Sequence, residues 1–486
     1  MEATHGRQLM VDIDKDLAFA PATELKELIA NREVSPVEIT QIYLDRIDSL
    51  DHQLNSYLTV TYDIALESAK KAEKAVIDGE KLGPLHGVPI SIKDLQMTKG
   101  VKTTGGSFAY KDRVPDADCA VVERVLAAGA IMLGKTNTPE FGLLGANENK
   151  LGEPCRNPWN IERTSGGSSG GAAASVVAGL TSLATGGDGG GSIRIPASFS
   201  GTYGIKPTQG RVSSFTGVNT PAAVNYTSQQ GPLTRTVRDS ALMLQVLAGF
   251  DPRDPGSLNS SVPNFIEAVE KGVSGFRVGW TPDFGYTPVD SEVAEITEEA
   301  VKAFLELGCT VDQSTLKLET PFDPWLSIFT TSAFVSNGHL LDDPTDPLTW
   351  YGKWAIENGS EVTATEYVKA LGMRGRMINQ FLDEFKKFDV LISPTMPTTA
   401  FSTDLYPQKI GGHDPYPNPE WGFVPFTHPI NTIGFTAASI PCGFDSEGMP
   451  VGLHIVGRYG DEETVLAVSA AFESIRPWIQ HRPVVS

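Results

Sequence analysis

Two glycine tracts constrain this chain more than any other feature: Thr164-Ser-Gly-Gly-Ser-Ser-Gly-Gly171, and Gly186-Gly-Asp-Gly-Gly-Gly-Ser192-Ile-Arg194. Glycine removes side chains from the backbone, so several N–H groups can converge on one point, as a developing oxyanion requires. A serine set among such donors, Ser168 in one tract and Ser192 in the other, is a candidate nucleophile. The plainer reading is a flexible loop, but each tract lies at the edge of an α/β pattern. The uncharged run from Thr164 to Gly187 is not a membrane span, because Val176, Val177, Leu180 and Leu183 are its only large aliphatics. The G-x-x-x-G spacings of Gly166 with Gly170 and Gly167 with Gly171 lose their membrane meaning with it.

The pattern around the tracts alternates. Ser35-Pro36-Val37-Glu38 offers a capping residue, a proline at the first helical position and a glutamate that closes the box, starting a helix that runs to about Leu50. A second amphipathic stretch spans Ile64 to Ile77. His86-Gly-Val-Pro-Ile-Ser-Ile-Lys93 then alternates as a strand, with Val88, Ile90 and Ile92 on one face. A helix at Ala120–Ala128, stopped by Gly129, and a strand at Ala130–Leu133 repeat the theme. Phe276–Trp280, Val293–Leu307, Thr310-Val311, Val390–Ile392, Val451–Val456 and Glu462–Phe472 continue it. Between about Leu316 and Phe426 the periodicity weakens, and a partly helical surface framing a pocket is expected there. The class is α/β.

Two motif matches fail on context. Gly129-Ala-Ile-Met-Leu-Gly134-Lys135-Thr136 fits the phosphate-loop pattern letter for letter, yet a helix precedes it and the interval between its glycines is itself a strand. No nucleotide cofactor follows from it. Gly166-Gly-Ser168-Ser-Gly170 fits the nucleophile elbow G-x-S-x-G, for which His428 or His454 would be the nominated base, but a polar loop precedes it where a hydrophobic strand is needed. None of the eight histidines pairs at i, i+4 with metal spacing, so no metal is expected. The subtraction 39 − 59 gives a net charge of −20, which excludes nucleic-acid binding as the main task.

A nucleophilic serine needs a base. Lys93 closes an apolar strand, where burial would lower its pKa and leave it able to accept a proton, while Asp94 points to the opposite face. The alternative, that Lys93 and Asp94 simply end the strand at the surface, carries equal weight on composition alone.

The Lys93 strand, the tract Gly166–Gly171 and Asp188-Gly-Gly-Gly-Ser192-Ile-Arg-Ile-Pro-Ala197 together resemble the amidase signature family of serine hydrolases. The spacings agree, 168 − 93 = 75 positions and 192 − 168 = 24. Gly134-Lys-Thr-Asn137, Tyr203-Gly-Ile-Lys-Pro-Thr208 and Gly452-Leu-His-Ile-Val-Gly457 extend the likeness along most of the chain. The resemblance implies a large twisted mixed β-sheet covered by helices on both faces, with residues 1–20 as a tail and 21–486 as one domain whose variable part is 316–426. It implies Ser192 as nucleophile, Ser168 as bridging serine after a cis Gly167–Ser168 bond, Lys93 as base, and the N–H groups of Gly189, Gly190, Gly191 and Ser192 as the oxyanion hole. Gly167 and Arg211 are expected near the substrate, Asp188 in ordering its loop, and Arg194 in a structural ion pair or on an acidic substrate. Many family members flank the aspartate with hydroxyl residues, whereas Gly187 and Gly189 stand here, which puts the stiffness of that loop in question.

The resemblance further implies a small amide, aryl or otherwise bulky and apolar, or a carbamate, as substrate. No cofactor, nucleic acid or membrane is expected, and the chain is expected as a monomer or homodimer. The aromatics Phe329, Phe334, Trp350 and Trp354 suit such a substrate, although aromatics are more often core than pocket. The alternative within the family is an A-type amidotransferase component that acts on charged tRNA; a nucleotide-dependent enzyme and an inactive binding module are the alternatives outside it. Four scattered cysteines with no C-x-x-C pair, and an N-terminus lacking the apolar core of a signal peptide, fit the cytoplasm.

Overall fold

The computed structural model describes residues 17–218, 226–319 and 321–486. Its framework is one eleven-stranded sheet, with strands in chain order β1 (Tyr57–Val60), β2 (Pro89–Lys93), β3 (Ile131–Thr136), β4 (Leu183–Asp188), β5 (Tyr203–Lys206), β6 (Gln229–Thr234), β7 (Arg277–Trp280), β8 (Thr310–Gln313), β9 (Val390–Pro394), β10 (Ala437–Phe444) and β11 (Pro450–Val456). Across the sheet they run β1-β3-β2-β4-β6-β5-β10-β11-β9-β7-β8. β2 is parallel to both β3 and β4, whereas the centre from β4 through β9 is antiparallel. The strands of this one sheet come from Tyr57 through Val456.

Strand alternation divides β2 between two environments. Ile90 and Ile92 enter the main core beneath the helices Ala120–Ala127, Val237–Leu247, Ser291–Glu306 and Glu462–Ile475. Ser91 and Lys93 face the other way, toward the side where Ala184 of β4 and Leu233 of β6 pack on Ala172, Ala173 and Val176 of the helix Gly170–Val177. That short helix begins inside the first glycine tract, and β4 runs into the second, so both tracts are parts of regular elements.

Three expectations change. The buried part of the body starts before residue 21: Phe19 is 3% exposed and lies under the guanidinium groups of Arg46, Arg235 and Arg482. The remaining tail positions 1–16 lie outside the described residues. The strand expected at Ala130–Leu133 runs on through Gly134, Lys135 and Thr136, and the Lys135 ammonium is buried, donating to the Gln96 carbonyl and to Thr98. It is therefore part of the sheet's interior. The variable region is more helical than its pattern suggests, with helices at Phe322–Asn337, Trp350–Glu361 and Ala364–Glu384. Gly359, unfavourable inside a helix, lets two of them touch: a Cβ there would lie 2.0 Å from the Thr330 carbonyl.

Replacing Phe19 with alanine empties a filled site under three cations, so Phe19→Ala is expected to destabilise the protein by about 3–5 kcal/mol, measurable as a lowered urea midpoint.

Candidate active site

Lys93 is fully buried at the end of β2, and its Nζ lies 2.7 Å from Ser168 Oγ, 2.8 Å from Ser169 Oγ and 3.3 Å from the Gly187 carbonyl. Among the described residues no carboxylate forms an ion pair with it. Burial therefore dominates, pulling the lysine down to about 7, with the more distant Asp188 charge opposing. Asp94 turns away from this point, as strand alternation requires, and accepts from the Thr104 N–H and hydroxyl. Both residues are buried, so the surface reading of this strand end fails.

Ser168 follows a cis Gly167–Ser168 peptide bond. Ser169, for which the sequence gives no signal beyond its position beside Ser168, is the second hydroxyl on Lys93, and its N–H donates to the Ser192 carbonyl at 3.1 Å. It ties the two tracts together. No hydrogen bond joins Ser168 to Ser192 among the described residues; Ser192 lines a small cavity with Gly190, Ile195, Trp325, Phe329 and Trp421.

The loop from Asp188 to Ser192 is held from every side. Asp188 accepts from the Gly191 N–H at 2.7 Å and the Ile193 N–H at 3.1 Å, and pairs with the buried Arg194 guanidinium. Burial alone would raise this carboxyl; Arg194 overrides it, with Lys206 and Asn431 assisting, and holds it well below the usual range. Asp188, expected to order the loop, and Arg194, expected in an ion pair or on an acidic substrate, are placed against each other, both side chains fully buried. The Gly191 N–H, by contrast, is committed to Asp188, which leaves Gly189, Gly190 and Ser192 as the donors of that set still to be considered.

Trp325 of the variable region and Thr427 just beyond it complete the clamp. Trp325 Nε1 donates to the Gly189 carbonyl at 2.9 Å, and Thr427 Oγ1 donates to the Gly190 carbonyl at 2.6 Å. A trans peptide points its C=O and N–H in opposite directions. Holding the Gly189 carbonyl therefore turns the Gly190 N–H away from Trp325. Glycine is required here by space: a Cβ on Gly190 would sit 2.6 Å from the Trp325 ring, and one on Gly191 2.3 Å from the Thr427 hydroxyl. With glycines flanking Asp188, the next carbonyls of the loop are held by an indole and a threonine from elsewhere.

Other expectations sort clearly. Arg211 is not at a pocket mouth; it is buried and ion-paired with Glu462 at 3.1 Å. Gly167 is enclosed by main chain, since a Cβ would lie 2.2 Å from the Ala146 carbonyl. His454 contacts the Arg194 guanidinium at 3.0 Å rather than either candidate serine. Phe329 reaches the Ser192 cavity, Trp354 stacks behind it on Trp421, and Phe334 and Trp350 are exposed. No group of three His, Cys, Asp or Glu side chains among the described residues is placed to hold a metal ion. Nor, among them, is any helix long and apolar enough to cross a membrane.

The sequence profile of the amidase family matches residues 38–466. The acylamidase of Rhodococcus erythropolis is 35% identical over 477 residues, covering 97% of this chain and 99% of that one. The A-type component of the glutamyl-tRNA(Gln) amidotransferase of Moorella thermoacetica is 38% identical over 492 residues, covering 96% and 99%. The crystal structure of a bacterial aryl acylamidase of the amidase signature family superposes with a TM-score of 0.88 at 32% identity, covering 95% of this chain and 97% of that one. The fold is that of a family of enzymes that hydrolyse carbon–nitrogen bonds. The chain belongs to the amidase signature family.

Trp325→Phe keeps the ring and removes the N–H that fixes the Gly189 carbonyl. A lost hydrogen bond of about 1 kcal/mol is expected to lower kcat for amide hydrolysis three- to tenfold, more than it raises KM, in steady-state kinetics on a small amide.

Proposed function

We propose that this protein is a stand-alone amidohydrolase that cleaves small aryl or bulky apolar amides, and carbamates of the same shape, through Ser192, Ser168 and Lys93. The observation that carries the reading is the buried lysine without a counter-ion against Ser168. A neutral Nζ has two donors and one lone pair. The Gly187 carbonyl and Ser169 Oγ take the donors, and the lone pair is left for the Ser168 O–H, so each contact of Lys93 has its role in the deprotonated state.

In this mechanism Lys93 takes the Ser168 proton as Ser168 takes that of Ser192, and Ser192 Oγ adds to the carbonyl carbon. The Ser168–Ser192 hydrogen bond forms with substrate bound, as catalytic contacts commonly tighten only in the complex. The N–H groups of Gly189, Gly190 and Ser192 face the oxyanion; loss of one such donor costs roughly 2.7–4 kcal/mol elsewhere. Collapse breaks the C–N bond, Ser168 returns a proton to the leaving nitrogen from Lys93, and water then releases the acyl group from Ser192. In a carbamate the same steps expel the amine. No metal or cofactor takes part in this scheme.

The surroundings of Ser192 support an apolar substrate. Leu143, Leu144, Ile195, Trp325, Phe329, Trp421 and Val424 line the cavity, with no charged side chain among its residues. An aminoacyl group on tRNA carries an α-ammonium, which this lining leaves unpaired, and the net charge of −20 opposes a tRNA phosphate backbone. The amidotransferase reading is the weaker one on both counts. The four free cysteines support a reducing compartment, the cytoplasm.

Incubated with EDTA and without ATP, wild-type protein is expected to release aniline from an anilide and from a matched aryl carbamate, while Ser192→Ala releases none; equal release by both proteins would refute the assignment of Ser192. Because the base must be neutral, and burial sets Lys93 at about 7, kcat/KM is expected to be low in acid, to climb tenfold per pH unit below that value and to level off above it. A pH profile flat between 5 and 8 would remove Lys93 from the mechanism.

A further inference from the structure

The cavity beside Ser192 measures only about 20 Å³. That is room for roughly one water molecule, so the body of any substrate must lie elsewhere. A second, larger cavity of about 230 Å³ lies behind it, walled by Tyr286, Pro288, Phe322, Tyr416, Trp421 and His428. Trp421 belongs to both walls. The partition is completed by Trp325, whose ring lies 6.1 Å from that of Trp421 and 5.4 Å from that of His428.

One ring on the wall of the second cavity carries an unpaired polar atom that is covered as the structure stands. His428 is 2% exposed, and its Nδ1 is buried without a hydrogen-bond partner. Leaving a buried polar atom unpaired costs about 1–3 kcal/mol. Burial, reinforced by the Arg194 charge, pulls His428 down to about 3, so the ring is neutral in ordinary buffers. It is suited to an uncharged partner. Asp414, the one carboxylate on the rim, is already paired with Lys409 at 2.6 Å. An apolar cavity of about 150 Å³ accommodates benzene, so this one has room for an aromatic ring with a substituent.

We propose that the larger cavity is a distal substrate subsite, opened by displacement of the Trp421 indole, which takes the far aromatic ring of an elongated amide or carbamate and pairs an uncharged hydrogen-bonding group on that ring with His428. The inference rests on the amidohydrolase reading and narrows its substrate to two-ended molecules: a scissile amide at Ser192, and a ring bearing a second amide-like group beyond Trp421.

The test uses a biphenyl carrying an amide at each end, so that either end can face Ser192, against a single-ring anilide and a biphenyl with one amide. Binding is measured by calorimetry on Ser192→Ala, alone and combined with His428→Phe or with Pro288→Trp, which fills the cavity. The two-ended probe is expected to bind at least tenfold tighter than the anilide. His428→Phe should remove about tenfold of its affinity while sparing the one-amide biphenyl, and Pro288→Trp should bring both biphenyls down to the anilide. Equal binding of all three probes, or a preference untouched by both substitutions, would overturn the subsite. Hydrolysis of the anilide by the wild type is read separately. Cleavage without the binding preference sinks the subsite alone, whereas the preference without cleavage sinks the amidohydrolase reading and leaves the cavity's ligand class standing.

Discussion

An ammonium group placed in the interior with no anion beside it is the constraint around which the site is built. Three lysines end up buried on strands of the sheet, and their surroundings differ. Lys135 lies near Asp94, and Lys206 has the charges of Asp188 and Glu462 acting on it, though burial still draws Lys135 down to about 8 and Lys206 to about 7. Lys93 has hydroxyls and a carbonyl for partners, with Asp188 acting only at a distance. An isolated charge in such surroundings is expensive, and the group responds by giving up its proton. The parallel pairing of β2 with β3 and β4, and the short helix Gly170–Val177 that delivers two serines to one nitrogen, make that response useful.

The second half of the site is organised by an anion fully satisfied by its neighbours. Asp188 sits at the end of β4 and accepts from main-chain N–H groups a few residues further on, from Arg194 and from Asn431. Arg194 in turn meets His454 of β11 and Asn431 of the helix His428–Ile433. A carboxylate so placed fixes backbone direction, which is what glycines alone leave undetermined. The contrast is between a lysine with no carboxylate paired to it and a carboxylate with several donors.

Much of this was legible in the sequence because the chemistry is local to two short tracts and one strand end. Val88, Ile90 and Ile92 alternate, so the face of Lys93 followed; the helix at Pro36 carries its capping box in four letters; the spacing of Lys93, Ser168 and Ser192 pointed to a family. What escaped was set by contacts between distant segments. Trp325 and Thr427 approach the Asp188–Ser192 loop from 136 and 237 positions away, Trp325 on a helix apolar on several sides that lacks a readable stripe. Arg211 lies on a loop as its sequence suggests, but its burial was not readable because its partner, Glu462, lies 251 positions on. The commitment of the Gly191 N–H to Asp188 depends on a side-chain orientation that no pattern of letters records.

The clamp on Gly189 and Gly190 ties selectivity to reactivity. In many enzymes the groups that grip the substrate's body and those that stabilise the reacting atoms sit on separate parts of the scaffold and vary independently. Under the proposed mechanism one tryptophan does both: its ring walls the small cavity at Ser192, where the scissile group would lie, and its N–H holds the Gly189 carbonyl of the loop proposed to face the oxyanion. Remodelling that wall for a new substrate therefore disturbs the peptide it holds, and variants with altered preference should show an altered rate constant for bond cleavage even toward the substrate they still accept. Diversification of this scaffold is channelled toward positions such as Trp421, which borders the same space without touching the loop by a hydrogen bond.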